Sequence, residues 1–472
     1  MDPESTESSL DPISDSMRTL IPLFERLPRT MWRIEQGRFM LLDSPDLTFS
    51  ATFISSAKQI KVLKWCFNGD ITAAALWYIL QRWPPQNGPL LPELRELEWV
   101  DERAETIPLI SKLPGSRLQR FSLATSHIEQ AEGVLRKVLP MCPQLEFLSV
   151  WAHSSRIIPG KRKDFLGSIF PVGKRTDLSS ILRATMSLRV LSLMPGILLS
   201  PEEVLALAVL PHLTEASFFV GSDGSSIPRD PVAPGGFPAL KKLALYSDTL
   251  TEHIPIFLDQ AGVIHLSEII LGVCNCPSPD SLHKFFDFLA HSPFNHALIK
   301  LKVDVLGNEQ TDPAHASEPV GEFTITPRQL EPLLRMGSLS CLEIGVNHLQ
   351  LDASFLKCLA LSLSHIQRLV IMHHRNHVDC KFVPLTDLVP FTEHCPDLRY
   401  IGFDVDKETE NELGETWKSN SRVECIDCGI HNTQMSEFML PNLSRLFPMV
   451  KKVDWVVWKP ESCASRPGIC HL

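Results

Sequence analysis

The features that would assign a chemistry are missing from this 472-residue sequence. It has no Gly-x-Ser-x-Gly elbow, no glycine-rich phosphate loop ending in Gly-Lys-Ser/Thr and no His-Glu-x-x-His, so serine-hydrolase, nucleotide and zinc-protease readings have no motif to rest on. The nearest approach to a phosphate loop is Pro159-Gly160-Lys161, which has Ser155 where the first glycine belongs and Arg162 where Ser or Thr belongs. A cationic surplus is missing too. The formal charge is −10, which argues against nucleic acid as the main partner, because phosphate binding needs a basic surface. No apolar run has the roughly 20 residues of a membrane-spanning helix; Phe355–Leu363 is short and broken by Lys357. The opening Met1-Asp2-Pro3-Glu4 is acidic and polar rather than a secretory leader. The twelve scattered cysteines therefore read as reduced thiols, and a cytoplasmic or nuclear location is expected.

Two groups look metal-like and lack what a metal site needs. His373-His374-Arg375-Asn376-His377, with Asp379 and Cys380, would place His373 and His377 on one face of a helix, but the stretch falls in a turn after an apolar strand phrase. Cys425-Ile426-Asp427-Cys428 with His431 is half of a zinc knuckle without a second pair; on a strand the odd spacing turns Cys425 outward and Cys428 inward. Cys274 with Cys276, and Cys463 with Cys470, have no more support. Asn442-Leu443-Ser444 matches a glycosylation acceptor that a cytosolic chain would not use. No catalytic residue, cofactor or metal ligand is expected.

What is present is a returning phrase. Leu145-Glu146-Phe147-Leu148-Ser149-Val150 places apolar residues at offsets 0, 3 and 5. The same spacing recurs at Leu94/Leu97/Trp99, Leu118/Phe121/Leu123, Leu188/Leu191/Leu193, Leu240/Leu243/Leu245, Leu266/Ile269/Leu271, Leu298/Leu301/Val303, Leu339/Leu342/Ile344, Ile366/Leu369/Ile371 and Leu398/Ile401/Phe403. Weaker copies stand at Ile60/Leu63/Trp65, Leu213/Ala216/Phe218, Val423/Ile426/Cys428 and Val450/Val453/Trp455. Offsets 3 and 5 share one face of a short strand, and offset 4 points to the other. The phrases start mostly about 24 to 27 residues apart, within the roughly 20–29-residue period of leucine-rich repeats.

Amphipathic stretches separate the phrases: Ala131–Leu139, Pro201–Leu210, Ser281–Leu289, Pro327–Leu334, Ala353–Leu363 and Leu385–Glu393. Ser200 before Pro201-Glu202-Glu203, Thr326 before Pro327 and Asp352 before Ala353 are helix-start signals. Strand and helix in alternation predict an α/β leucine-rich-repeat solenoid, with a curved parallel sheet on the concave face and helices on the convex face. Such an array accommodates a long chain because each repeat buries its face only on its neighbours.

The expected organisation is an acidic, disordered tail over 1–17, an N-terminal cap over 18–56, the irregular array over 57–460 and a C-terminal tail over 461–472. In the cap, Leu20, Ile21, Leu23, Phe24 and Leu27 form an apolar stripe that ends at Pro28, and Phe39–Leu42 reads as a strand. Two intervals exceed the period, and each holds an insertion, about 154–174 and 307–321. The first carries, with its edge, Arg156, Lys161, Arg162, Lys163, Lys174 and Arg175, a solvated loop in the plain reading and a basic contact for an acidic partner in the functional one. The slot three residues beyond the third apolar position holds Asn68, Ser126, His153, Asp248, Cys274, Asn347, His374, Asp406 and His431, and is read as a polar turn position.

Cys142-Pro143-Gln144-Leu145 and Cys395-Pro396-Asp397-Leu398 resemble the Cys-Pro-x-Leu signature of the leucine-rich repeats found behind F-box domains. Leu20-Ile21-Pro22-Leu23-Phe24-Glu25-Arg26-Leu27-Pro28 with Met31-Trp32-Arg33-Ile34, and Ile325-Thr326-Pro327 with Leu330, resemble segments of a fungal, mushroom-type F-box-like family. The resemblance runs from about Arg18 to the C-terminus. It implies a substrate receptor for SCF ubiquitin ligases, whose F-box docks on the adaptor subunit while the repeats hold a protein target. The residues before Arg18 carry no F-box-like module, so the expectation is a receptor with its F-box missing or truncated, able to meet the adaptor only if an F-box lies upstream.

The target is expected on the concave face, on outward strand residues such as Phe147, Ser149, Trp151, Lys242, Tyr246, Arg368, Met372, Tyr400 and Asp404. Each is also an ordinary exposed strand residue in the plain reading. A scaffold unrelated to ubiquitin would use the same face. A hydrolase hidden in the insertions would need a Ser or Cys near a His, and no spacing points to one.

Overall fold

The computed structural model describes residues 14–42, 49–67, 70–151, 182–183, 185–193, 198–224, 226, 236–274, 277–305, 324–346, 349–373, 383–405, 419, 421–431, 439–458 and 468–471. The insertions at 154–174 and 307–321, the stretch His374–Cys380, Asn68, His153, Cys276, Asn347, Asp406 and Cys463 lie outside these residues.

Each repeat phrase becomes a strand. In the first of two compact units, β1 (Ser16–Met17), β4 (Val62–Cys66), β5 (Glu96–Val100), β6 (Arg120–Ala124), β7 (Phe147–Trp151) and β8 (Val190–Leu193) lie parallel in that order. A separate hairpin, β2 (Trp32–Glu35) with β3 (Arg38–Leu41), turns at Gln36 and Gly37, both at positive φ.

In the second unit nine strands lie parallel in chain order. They are β9 (Glu215–Phe219), β10 (Lys242–Ser247), β11 (Glu268–Val273), β12 (Lys300–Val305), β13 (Cys341–Val346), β14 (Arg368–His373), β15 (Tyr400–Asp404), β16 (Cys425–His431) and β17 (Lys452–Trp458). A last strand, β18 (Gly468–His471), pairs antiparallel with β17. Parallel neighbours in chain order, joined by helical crossovers, make this an α/β solenoid of the leucine-rich-repeat type.

Register stacks the phrases residue on residue. Leu63, Leu97, Phe121, Leu148 and Leu191 form one inward row in the first unit. Ala216, Leu243, Ile269, Leu301, Leu342, Leu369, Ile401, Ile426 and Val453 form its counterpart in the second. All these side chains are buried. Hiding a Leu-sized side chain from water stabilises by about 1.5–3 kcal/mol, so the rows hold the repeats together.

Two hydrogen-bond habits join repeat to repeat. The carbonyl of the residue before a strand accepts two N–H groups from the next repeat. Lys61 O takes Arg95 N at 2.7 Å and Glu96 N at 3.1 Å, and the pattern recurs through Ser267, Ile299, Ser340, Gln367 and Arg399. Then the first apolar residue of the phrase donates its N–H to the carbonyl three residues earlier, as Leu145 does to Cys142 (3.1 Å) and Leu398 to Cys395 (3.2 Å). That turn residue is buried: Gly115, Cys142, Met336, Leu363 and Cys395 all occupy it.

It is a fourth inward position of the repeat, and it explains the Cys-Pro pairs. The Cys142 thiol donates to Gly115 O (3.5 Å), and the Cys395 thiol reaches Ala360 O (3.4 Å) and Leu363 O (3.6 Å). Each thiol thus ties its turn to the preceding repeat. Burial pushes both up to about 12.

The helix starts are where the capping residues put them. Ser200 and Glu203 form a capping box on Pro201–Ala208, and Thr326 with Gln329 forms another on Pro327–Leu330. Asp352 accepts from Phe355 N at 2.7 Å to open Ala353–Ser362. The cap stripe folds only as Ile21–Phe24, with Leu20, Leu23, Phe24 and Leu27 buried.

The residue just before the expected polar turn position is buried in most repeats whatever its chemistry, as Val220, Val273, Val305, Val346 and Val405 and as polar residues elsewhere. Asp101, Thr125, Ser247 and His373, seven residues after the first apolar position, are buried. At the next position Ser126 is exposed, and Asp248 and Cys274 are half-buried. The strand's last step turns inward at this point. A short polar side chain there can close the turn, as Ser247 Oγ does by donating to Thr249 O (2.9 Å).

Candidate binding face

Offsets 2, 4 and 6 of each phrase project from the sheet face opposite the inward rows. The nine expected contact residues all lie at such offsets, three in the first unit and six in the second.

In the first unit Phe147, Ser149 and Trp151 alternate along β7. Phe147 is half-buried, Ser149 is 6% exposed and Trp151 is 41% exposed. The neighbouring strand supplies partners that the sequence reading missed. The Arg120 guanidinium lies 4.3 Å from the centre of the Phe147 ring, and Trp151 Nε1 donates to Ser122 Oγ at 3.2 Å. Register places Ser122, Ser149 and Ser192 side by side on β6, β7 and β8.

The second unit's face is charged and cross-linked sideways. Lys242 reaches Glu215 (3.8 Å) and Glu268 (3.7 Å), and Lys300 reaches Glu268 (2.9 Å). Lys302 and Arg368 close on Glu343 at 3.3 and 2.6 Å. Arg368 also covers the Tyr400 ring at 3.6 Å, and Tyr400 Oη donates to Asp427 Oδ2 at 3.3 Å.

Burial alone would raise the Glu343 carboxyl. The hydrogen bond from Arg368 and the charges of Lys302 and Arg368 together outweigh it and hold the carboxyl below its ordinary value. The Lys300 amine is raised, chiefly by its hydrogen bond to Glu268. Burial, with Asp304 nearby, raises the Tyr246 phenol, which hydrogen-bonds Ser217. Cys341, between Lys300 and Arg368, is pushed up to about 11, first by burial and then by Glu343. Cationic neighbours do not make it a reactive thiolate.

Three of the nine residues are largely buried. Ser149 shows little more than its edge, in register with Ser122 and Ser192 on either side. Met372 is 9% exposed because it leans with Val370 over Gly402, whose missing side chain makes the room. Asp404 is 3% exposed: its Oδ2 accepts from the His373 backbone N–H (2.5 Å) and is hydrogen-bonded to His373 Nδ1 (2.6 Å). His373 Nε2 meets the Leu349 carbonyl at 2.9 Å. Both ring nitrogens are therefore engaged.

His373 is thus engaged as a strut, and the rest of its histidine cluster lies outside the described residues. Cys425 and Cys428 sit on opposite faces of β16, with Cys428 buried and raised by that burial. Among the described residues no group of three or more His, Cys, Asp or Glu could hold a metal, and no helix is long and apolar enough to cross a membrane.

Arg120, Lys300, Lys302 and Glu343 could have been found from sequence by reading the outward offsets of neighbouring phrases against one another. Gly402 could not, since it acts by leaving space.

No family model matches the chain, and no curated protein matches it either. The fold and the outward face carry the functional argument.

Proposed function

We propose that the chain is a non-catalytic protein-recognition module, of the kind that serves as an F-box-type substrate receptor for an SCF ubiquitin ligase, with the target held on the outward sheet face. One observation carries the recognition reading. Successive parallel strands hold their outward side chains in register, so residues distant in sequence form a continuous, pre-ordered surface. The ligase reading has narrower support: the two Cys-Pro-x-Leu turns, whose cysteines fix repeat to repeat as a repeat signature should. Co-purification of the SCF adaptor subunit with the full-length gene product is the expected result. Clean absence of the adaptor removes the ligase role and leaves a scaffold using the same face.

A further inference from the structure

The first unit's outward face differs from the second's in how its charges are answered. On β9–β16 the basic side chains at offsets 2 and 4 meet carboxylates on the same or an adjoining strand. On β4 and β5, Lys64 meets Glu96 at 3.1 Å. Arg120 on β6 is exposed and has no carboxylate within ion-pair reach among the described residues. It is nevertheless held in place, flat against Phe147. Stacking fixes the plane of a guanidinium and leaves its N–H edge open.

Beside it lies Ser149. The pleat turns this residue outward between buried Leu148 and Val150, and it is 94% enclosed. Its hydroxyl has no hydrogen-bond partner among the described residues. Ser149 Oγ is not shut off from the surface, so a partner's acceptor can reach it. Ser122 Oγ already accepts from Trp151 Nε1, so its O–H remains to donate. Arg120, Ser122 and Ser149 therefore converge as donors, with the exposed Trp151 ring on the far side of the serine row.

We infer that this patch on β6–β8 takes an acidic peptide segment: a partner carboxylate on Arg120 and the two hydroxyls, with an adjoining apolar side chain on Trp151. The inference rests on the protein-recognition reading and gives it a partner chemistry. Glu98, half-buried on β5 between Lys64 and Ser122, bounds the patch, and Glu96, across from Arg120, is held by Lys64. Glu98 confines the partner's carboxylate to the Arg120 side, and its proximity disfavours a doubly charged phosphate. The chain's net charge of −10 does not forbid the match. At physiological ionic strength charges are screened over about 8 Å, so the local guanidinium decides.

The test is a random heptapeptide library sorted against the full chain and three variants, with binding of the enriched peptides measured afterwards. Arg120→Gln and Ser149→Ala alter the patch; Lys357→Gln, exposed on the helix Ala353–Ser362, is the control. The expected result is enrichment of peptides that pair Asp or Glu with a nearby aromatic or aliphatic residue. Their affinity should fall at least about tenfold in Arg120→Gln, as loss of a charged hydrogen bond predicts, fall less in Ser149→Ala and stay unchanged in Lys357→Gln. Enrichment without Asp or Glu, or peptides that bind Arg120→Gln as well as the parent, overturns the patch and leaves peptide recognition standing. No enrichment on any version overturns the patch and the recognition reading together.

Discussion

At the scale of single residues, the face is shaped as much by what is buried in it as by what it shows. Asp404 and His373 are both inside, and each answers the other. Taking away a buried hydrogen-bond acceptor costs about 1–3 kcal/mol, because the donor stays behind unsatisfied. Asp404→Ala should therefore lower stability by roughly 2–3 kcal/mol and expose the His373 amide, whose acceptor it removes. Hydrogen exchange at that amide reads this directly, and unchanged protection would show that the pair is ornamental.

Glycine gives a graded companion test. A Cβ on Gly115 would stand 2.8 Å from Pro92 O, a backbone atom, whereas the nearest atoms to one on Gly402 would be the Val370 methyls (3.1 and 3.2 Å) and Met372 Sδ (3.3 Å). Side chains can turn aside and a backbone carbonyl cannot. Gly115→Ala should cost about 2–3 kcal/mol and Gly402→Ala about 1 kcal/mol or less, in that order, by chemical denaturation.

At the scale of the element, the strands were legible and their outward faces were not. The inward pattern is local: offsets 0, 3 and 5 lie within six consecutive residues, and burial follows from hydrophobicity at each. Outward exposure is set between strands. Met372 is covered because residue 402 is glycine, and Asp404 because a histidine ends the strand before it. Parity tells which way a side chain points; only register tells what stands beside it. The same limit applied to Cys142 and Cys395. Their recurrence was visible, but their bonds run to carbonyls of the preceding repeat, 27 and 35 residues away for Gly115 and Ala360.

The charged rungs of β12–β14 have a pH signature. Folding lowers the Glu343 carboxyl below its ordinary 4.5. Between the two values the unfolded chain holds the extra proton, so the contribution is complete above 4.5 and is lost as pH falls through the folded value. Glu343→Gln should accordingly lower the thermal midpoint at pH 7, with the gap to the parent closing as the pH falls through the folded value, below 4.5. A gap that persists in acid would mean that Glu343 acts through packing rather than charge.

At the scale of the whole molecule, the repeats decide how damage spreads. Each inward side chain sits in register with one residue before and one after it, as Leu301 does with Ile269 and Leu342. A core that is a row of neighbours rather than one cluster transmits a defect only through successive interfaces. Leu301 is fully buried, and truncating such a residue costs about 2–5 kcal/mol. In a single cooperative globule that cost would lower protection everywhere. Here Leu301→Ala should loosen β11, β12 and β13 most and β14 less, and leave the backbone of β16 protected as before. Hydrogen exchange followed strand by strand along the second unit distinguishes the two. Equal loss across its nine parallel strands would mean that they fold as one body, and that the repeat spacing describes their geometry without describing their energetics.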